Sequence, residues 1–545
     1  MNIPDVNPET IADEATRTLV IQLLNLIEAQ ATEITTLRVE NQQLRDELAR
    51  LKGGSGKPDM KPAVKPPSQD YSSEAERQTR TPRGKPKKNE TLTVTREERC
   101  TIDPETLPPD AERKGTTTTI AQHLRIEVEV IRFVREVWYS KSQHKTFIAP
   151  LPPGYHGGFS PTIHTLVMNL GHGANVSQPA LLTFLRTLGV QIGTGTVART
   201  LLDQDGRWAE EAAAIHQAGL ASGDWVASDQ TSTRVDGQNE VCHVVGNALF
   251  TSYHTRPGGT RQDVLAVLWG QAPRFRLNDE AQAWLDETSL PASLRTRLSA
   301  AIPWDTELSE EALRQHLNDH GITLGRQQQQ TVWDALAVAA YHAQTEVPVV
   351  PTLLSDDAAV YDRVTTTHAL CWVHEWRLYT KLRPQIPHHQ ALLEQFRKDY
   401  WALYRQLLAY RKAPSAETRA RLHDAFDTLI GEDTGYDALD DRMAMTADKR
   451  AKLLAVLDHP ELPLHNNDME LGARRRVRKR DVSFGPQSRS GARAWDTFQT
   501  IAATAAKLGV SLFHYIHDRL VNPEQTPSLA ERIAERAGIA TQPAS

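Results

Sequence analysis

The sequence predicts an α/β protein, a mixed-sheet core with helical insertions behind a coiled coil and a helix-turn-helix-like region. Three observations carry this. A heptad pattern runs over 20–51. Short helical stretches separated by glycine follow over 160–202. Beyond residue 220, apolar strand-like runs alternate with helical ones, as in layered α/β domains.

The 545 residues are 39% hydrophobic and 24% charged, which allows several folded domains and excludes wholesale disorder. The 62 basic and 68 acidic side chains give a net charge of −6. A uniformly basic DNA-coating protein is thereby excluded, but a locally basic surface is not. Three scattered cysteines with no CxxC pair exclude a disulfide framework and a four-cysteine zinc site. No run of 18 apolar residues and no basic-then-apolar leader occur, so no membrane segment and a cytoplasmic location are expected.

The first element is the heptad, expected to form a dimerisation helix over 1–52. Val20, Leu23, Ile27, Gln30, Ile34, Leu37, Asn41, Leu44, Leu48 and Leu51 alternate spacings of three and four. With Val20 at a, the a series is β-branched early and the d series mostly leucine, a pattern of parallel dimers. Asn41 at a fixes register. An amphipathic helix packed on its own body is the competing reading. Residues 53–90 read as a basic flexible linker. From Lys52 to Glu90 there are ten Lys/Arg, five Asp/Glu and six Pro.

Residues 91–155 read as strand-rich, with period-two alternation in HLRIEVEVIRFVREVWYS. Residues 156–215 read as helical: Ser160–Leu170, Ser177–Leu188 stopped by Gly189, and Thr194–Leu202. Such a pair resembles a helix-turn-helix whose second helix offers Thr196, Arg199 and Thr200 to a DNA major groove. A plain helical hairpin has the same signature.

The core is expected over 220–520. DWVASD reads as a buried strand ending on Asp229, and VPVVPTLLSDD as another ending on Asp356. Glu470 opens a later helix. Helical insertions are expected near 271–345 and 386–457, the first as extra sequence private to this chain, and 521–545 as a tail. Three carboxylates of this kind can hold hard cations on a phosphodiester. Arg474, Arg475, Arg476, Arg478, Lys479 and Arg480 then place six bases in seven residues, with Arg489 and Arg493 beyond, as suits a phosphate backbone. Asp357, Asp236 and Asp362 read as bystanders, Cys371 and Trp372 as core. His374 reads as packing, or as a neighbour of the metals.

Four ordered blocks extend this reading. SDQTSTRV surrounds Asp229. LLSDDAAVYDRV, followed by CWVHEWRLY, surrounds Asp356. NNDME holds Glu470, followed by RRVRKRDVSFG, SGARA and IAATAAKLGVSLFHYIHDRL. REVWYSKSQHKTFIAPLPPGY and SQPALLTFLRTLGVQIGTGTV precede them. This pattern resembles the insertion-sequence sixty-six family of bacterial DDE transposases, over roughly residues 15–520.

The resemblance implies a ribonuclease-H-like core and DNA strand cleavage with strand transfer. It implies Asp229, Asp356 and Glu470 as catalytic and metal-binding residues, two Mg²⁺ (or Mn²⁺) ions, and double-stranded DNA as partner. Accessory proteins of the same element are a further implied partner. Family members often carry a cysteine-rich zinc element after the coiled coil. Here only Cys100 remains, so zinc is not expected. Two alternatives stay open: a transposase-derived DNA-binding protein without catalysis, and a metal-dependent nuclease without strand joining.

Overall fold

The computed structural model describes residues 6–51, 92–202 and 206–539. The expected linker at 53–90 lies outside them. Helix α1 (Glu14–Leu51) is a single 38-residue rod. It docks on the body through Leu24, Asn25 and Glu28. The buried Glu28 carboxylate accepts from the backbone N–H of Gln385 (2.6 Å) and Ile386 (3.0 Å) and pairs with His389 (3.2 Å).

The strand-rich expectation for 91–155 needs correction. Among the described residues it holds one hairpin, Val137–Ser140 with Lys145–Ile148. The alternating run at 123–134 forms no strand. Alternation supplies two faces, but a strand also needs a neighbour's backbone.

Helices α2 (Pro161–Met168), α3 (Gln178–Thr187) and α4 (Thr194–Leu201) pack around Val167, Leu181, Leu185, Val190, Ile192 and Val197. Gly189 at φ +94° makes the turn after α3, a conformation that suits glycine. A π-turn at Asn169–Gly173 follows α2. Helix α5 (Arg207–Leu220) leads into the core.

The core is one five-stranded sheet: β1 (Trp225–Val235), β2 (Gln238–Gly246), β3 (Thr251–Arg256), β4 (Thr352–Ser355) and β5 (Thr367–Leu370). Its order is β3-β2-β1-β4-β5. β2 runs antiparallel to β1 and β3, while β4 and β5 run parallel to β1. Asp236-Gly237, both at positive φ, close the β1–β2 hairpin in two residues. Asp236 is thus a turn residue at the surface.

Side chains alternate across this sheet. Val226, Val245 and Leu353 point to one layer, with α5, α6 (Arg261–Trp269) and α7 (Arg326–Ala343). Ala227, Val244 and Leu354 point to the other. The segment 271–345 is therefore no appendage. Its helix α7 buries ten residues, from Val332 to Tyr341, and all but Asp334 belong to the main core.

After β5 come α8 (Trp372–Tyr379), α9 (Pro387–Lys412), α10 (Ala416–Gly431) and α11 (Asp437–Ala447). They enclose an aromatic core of their own around Trp372, Trp376, Tyr379 and Tyr400. Trp372 is core, as expected, and its indole N–H donates to the Leu453 carbonyl (2.8 Å). Helix α12 (Asn467–Ser483) then returns to the sheet, and α13 (Arg489–Lys507) covers the β3 edge.

That edge is satisfied by side chains four residues apart on α13. Thr504, Thr500 and Asp496 accept from the backbone N–H of Thr251 (3.2 Å), Tyr253 (3.0 Å) and Thr255 (2.7 Å). Four helical residues rise about 6 Å and two strand residues about 6.8 Å, so the two ladders match. The expected tail at 521–545 is not one throughout. Helix α14 (Leu529–Ala537) seats Leu529 and Ile533 in the main core, and the Leu529 N–H donates to buried Glu211 (3.1 Å).

Candidate active site

β1 and β4 pair with Ala227 opposite Leu354, an offset of 127 residues. Asp229 and Asp356 are separated by the same 127 residues (356 − 229). Asp229 lies on β1 and Asp356 directly follows the end of β4, so continuing the register two residues would set them level, at a strand spacing of about 4.8 Å. Both share the parity of Ala227 and Leu354, so both face the layer beneath α12.

Helix α12 approaches that face closely because residue 472 is glycine. A Cβ there would lie 2.8 Å from Val244 Cγ1 and 3.2 Å from the Tyr253 hydroxyl. Met469 and Ala473 pack on the same side. Glu470, one residue past Met469, lies at the start of the helix with its side chain only 12% exposed.

Four hydrogen bonds link the segments that carry the acids. Asn466 Nδ2 donates to the Ser228 carbonyl (2.6 Å), next to Asp229. The Asn466 N–H donates to Cys371 Sγ (3.3 Å). The Cys371 N–H donates to the Ser355 carbonyl (3.0 Å), next to Asp356. The Glu470 N–H donates to the Asn466 carbonyl (3.1 Å).

The acids act on one another electrostatically. Burial pushes the Asp229 carboxyl up to about 6. The Gln230 N–H opposes this, Glu470 and Asp356 add to it, and Arg377 opposes it. Arg377 on α8 holds both oxygens of Glu470 (3.2 and 3.1 Å). His374 Nε2 lies 3.5 Å from Glu470 Oε1, and Arg474 reaches its other oxygen at 3.6 Å. Burial lowers the His374 imidazole pKa, while Glu470 opposes that. Sequence reading gave His374 two roles, and the fold puts it beside the acids. Arg377 and Asn466 were missed. Helical period was the available signal, since 371, 374 and 377 share one face of α8.

Two neighbouring acids are otherwise engaged. Asp357 pairs with Lys449 (2.7 Å). Asp362 is not the free surface acid expected. It accepts from His368 (3.0 Å) and Lys452 (2.6 Å), which hold it well below the usual carboxylate range. His368 in turn meets Ser355 Oγ (2.8 Å), which donates to the Asp356 carbonyl (2.6 Å).

The basic run divides by helical face, which corrects two of its members. Arg476 is 1% exposed, paired with Asp496 and set against the rings of Tyr253 and Trp495. Lys479 is 3% exposed, donates to the Gly171 carbonyl (2.7 Å) and sits over Trp495. Burial, then Arg476, pushes the Lys479 ammonium down to about 7. Neither can reach a phosphate backbone.

Arg474, Arg475 and Arg478 are exposed, Arg474 beside Glu470, and Arg493 is exposed on α13. Arg480 donates to the Ser232 carbonyl (2.7 Å), and Arg489 pairs with buried Glu240 (2.6 Å) while staying largely exposed. On α4, Arg199 is exposed and donates to Thr196 (3.4 Å).

Residues 271–494 match the family described as "Transposase IS66 family". The chain is also 30% identical over 327 residues to the uncharacterized protein y4jO of Sinorhizobium fredii (strain NBRC 101917 / NGR234). That match takes in 59% of this chain and 99% of that protein. The chain belongs to the IS66 transposase family. Membership gives it a transposition-related function and DNA as its partner. The family match includes Asp356 and Glu470 and begins after Asp229. It also covers 271–345, so that stretch is family sequence and not a private insertion. No solved structure matches. Among the described residues no helix is long and apolar enough to cross a membrane.

Proposed function

We propose that this IS66-family protein is a DDE transposase with a ribonuclease-H-like core, cutting and joining DNA through Asp229, Asp356 and Glu470. One observation carries the reading. Asp229 on β1 and Asp356, directly after the end of the parallel neighbour β4, lie beside the face that α12 covers with Glu470 at its start, and Glu470 and Asp356 both raise the Asp229 carboxyl.

The donors are carboxylate oxygens, which fit Mg²⁺ or Mn²⁺. Asp229 and Asp356 would hold the ions from the sheet, and Glu470 from the helix. Two such ions supply a water activated for in-line attack and stabilise the leaving oxygen. The protein's own part is alignment. The Asn466 and Cys371 bonds fix the three segments against one another. Arg474, which lies beside Glu470, and the exposed Arg475 and Arg478 further along α12 would bind the phosphate backbone, with Arg480, Arg489 and Arg493 flanking them. Thr196 and Arg199 on α4 would meet the duplex in its major groove. The exposed heptad face of α1 would pair two protomers, one for each element end.

A donor-plasmid assay with the intact element tests this. Asp229→Asn, Asp356→Asn and Glu470→Gln should each abolish excision and integration, while gel-shift binding of element ends persists. Full activity in any of the three sinks the assignment. Cleavage without integration in the unsubstituted protein would instead mark a nuclease.

A further inference from the structure

Cys371, His374 and Glu470 each bring a ligand atom within 4.8 Å of the other two. From this cluster we infer a second metal site, one for a borderline-soft divalent transition ion such as Zn²⁺, which shares Glu470 with the carboxylate site. Its donors are sulfur, imidazole nitrogen and one carboxylate oxygen. That set selects Zn²⁺-like ions over Mg²⁺.

The local fold prepares these donors. Cys371 is the N-cap of α8 and His374 lies in its first turn, so both side chains leave the same helix end. Burial pushes the Cys371 thiol up to about 11, and the Asn466 N–H that Sγ accepts (3.3 Å) only partly opposes this, so the thiolate would form on metal binding. His374 Nδ1 is buried and has no hydrogen-bond partner. Around a tetrahedral zinc, ligand atoms stand about 3.3–3.6 Å apart. His374 Nε2 and Glu470 Oε1 are already 3.5 Å apart. The remaining donor separations are within 4.8 Å.

Arg377 is the competitor for Glu470, and its side chain is 44% exposed and free to turn outward. The ion then replaces its positive charge. Binding converts the Cys371 S–H to a metal-bound thiolate, and the proton passes to solvent. The cysteine spacing gave no hint of this site, because two of its ligands come from α8 and the third from α12.

A consequence follows that rests on the DDE reading. An ion held here occupies Glu470, so Zn²⁺ would withdraw the third acid and slow Mg²⁺-dependent cleavage. The site itself stands without that reading.

The test is a Co²⁺ titration of the full-length reduced protein. One equivalent should give four-coordinate visible bands and a sulfur-to-cobalt charge-transfer band. Cys371→Ser should lose the charge-transfer band, and His374→Ala should weaken binding at least tenfold. Cys100→Ser should leave both intact. Because Cys371 is buried, each variant is first shown to melt cooperatively. Glu470→Gln offers an independent arm, expected to keep the thiolate band but to bind at least tenfold more weakly. Absence of a charge-transfer band, or its survival in Cys371→Ser, overturns the site. Asp229→Asn should keep the band. Should that variant also remain active in transposition, the DDE reading falls while the cobalt result stands.

Discussion

Arg377 grips both carboxylate oxygens of Glu470, and it is the one cation on α8 that does so. An opposite charge this near competes with any metal for the same oxygens. At water-like screening one charge at about 4 Å is worth about 1 kcal/mol, or roughly fivefold in affinity. Arg377→Gln should therefore tighten Mn²⁺ binding about fivefold, read from the loss of the free-ion paramagnetic signal. Weaker binding would mean that Arg377 holds Glu470 in its ligating geometry rather than competing for it.

Asp229 gives a pH signature. Its carboxyl is pushed up to about 6 in the folded protein, chiefly by burial, against 3.8 unperturbed. Below about pH 4 both states are protonated and nothing is lost. As pH rises from about 4 to 6 the unfolded chain releases its proton first, so stability falls. Above 6 the loss is complete, about 3 kcal/mol at 1.36 kcal/mol per unit. Asp229→Asn should remove that loss. The variant should gain about 1–3 kcal/mol over the unsubstituted protein at pH 8, and little at pH 4, in paired urea titrations. Background ionisations cancel in the difference. A gap independent of pH would refute the raised carboxyl.

Adjacent arginines on α12 should behave oppositely. Arg476→Ala leaves Asp496 uncompensated beside a buried strand edge, and removal of one partner of a buried pair costs about 3–5 kcal/mol. Its thermal midpoint should fall sharply. Arg474→Ala, Arg475→Ala and Arg478→Ala should melt normally, weaken DNA binding, and each reduce the salt dependence by about one ion. Equal melting of Arg476→Ala and Arg475→Ala would contradict the helical division.

That division was legible and went unread. Met469, Gly472, Ala473, Arg476 and Lys479 follow the three-and-four spacing of a buried helix face. A dense basic run drew attention to composition instead of period. The acids were legible for a related reason. Each aspartate ends an apolar run, and their separation equals the strand register. What the sequence concealed were relations across the fold. Nothing local shows that Asn466 reaches Ser228, or that Thr504, Thr500 and Asp496 close a sheet edge. The run at 123–134 misled for the same reason, because its alternation names no partner strand.

Helix α1 docks on its own body and still leaves its heptad stripe free for a partner. Its body-facing residues Leu24 and Glu28 lie about 100° round the helix from the heptad positions Leu23 and Ile27, and Asn25 lies further round still. The heptad stripe points outward, with Leu37 54% and Leu44 59% exposed. An exposed stripe this long, with leucine at d, needs a partner helix to leave water. The doubly substituted Leu37→Glu, Leu44→Glu protein should therefore sediment as a monomer at micromolar concentration, where the unsubstituted chain should sediment as a dimer. Its melting midpoint should stay within about 2 °C, because neither leucine touches the body. Glu28→Ala should do the reverse. It strips two buried N–H groups of their acceptor, lowers stability by about 1–3 kcal/mol and leaves the dimer intact. A monomeric unsubstituted chain, or a doubly substituted one that still pairs, would show that α1 serves only its own body.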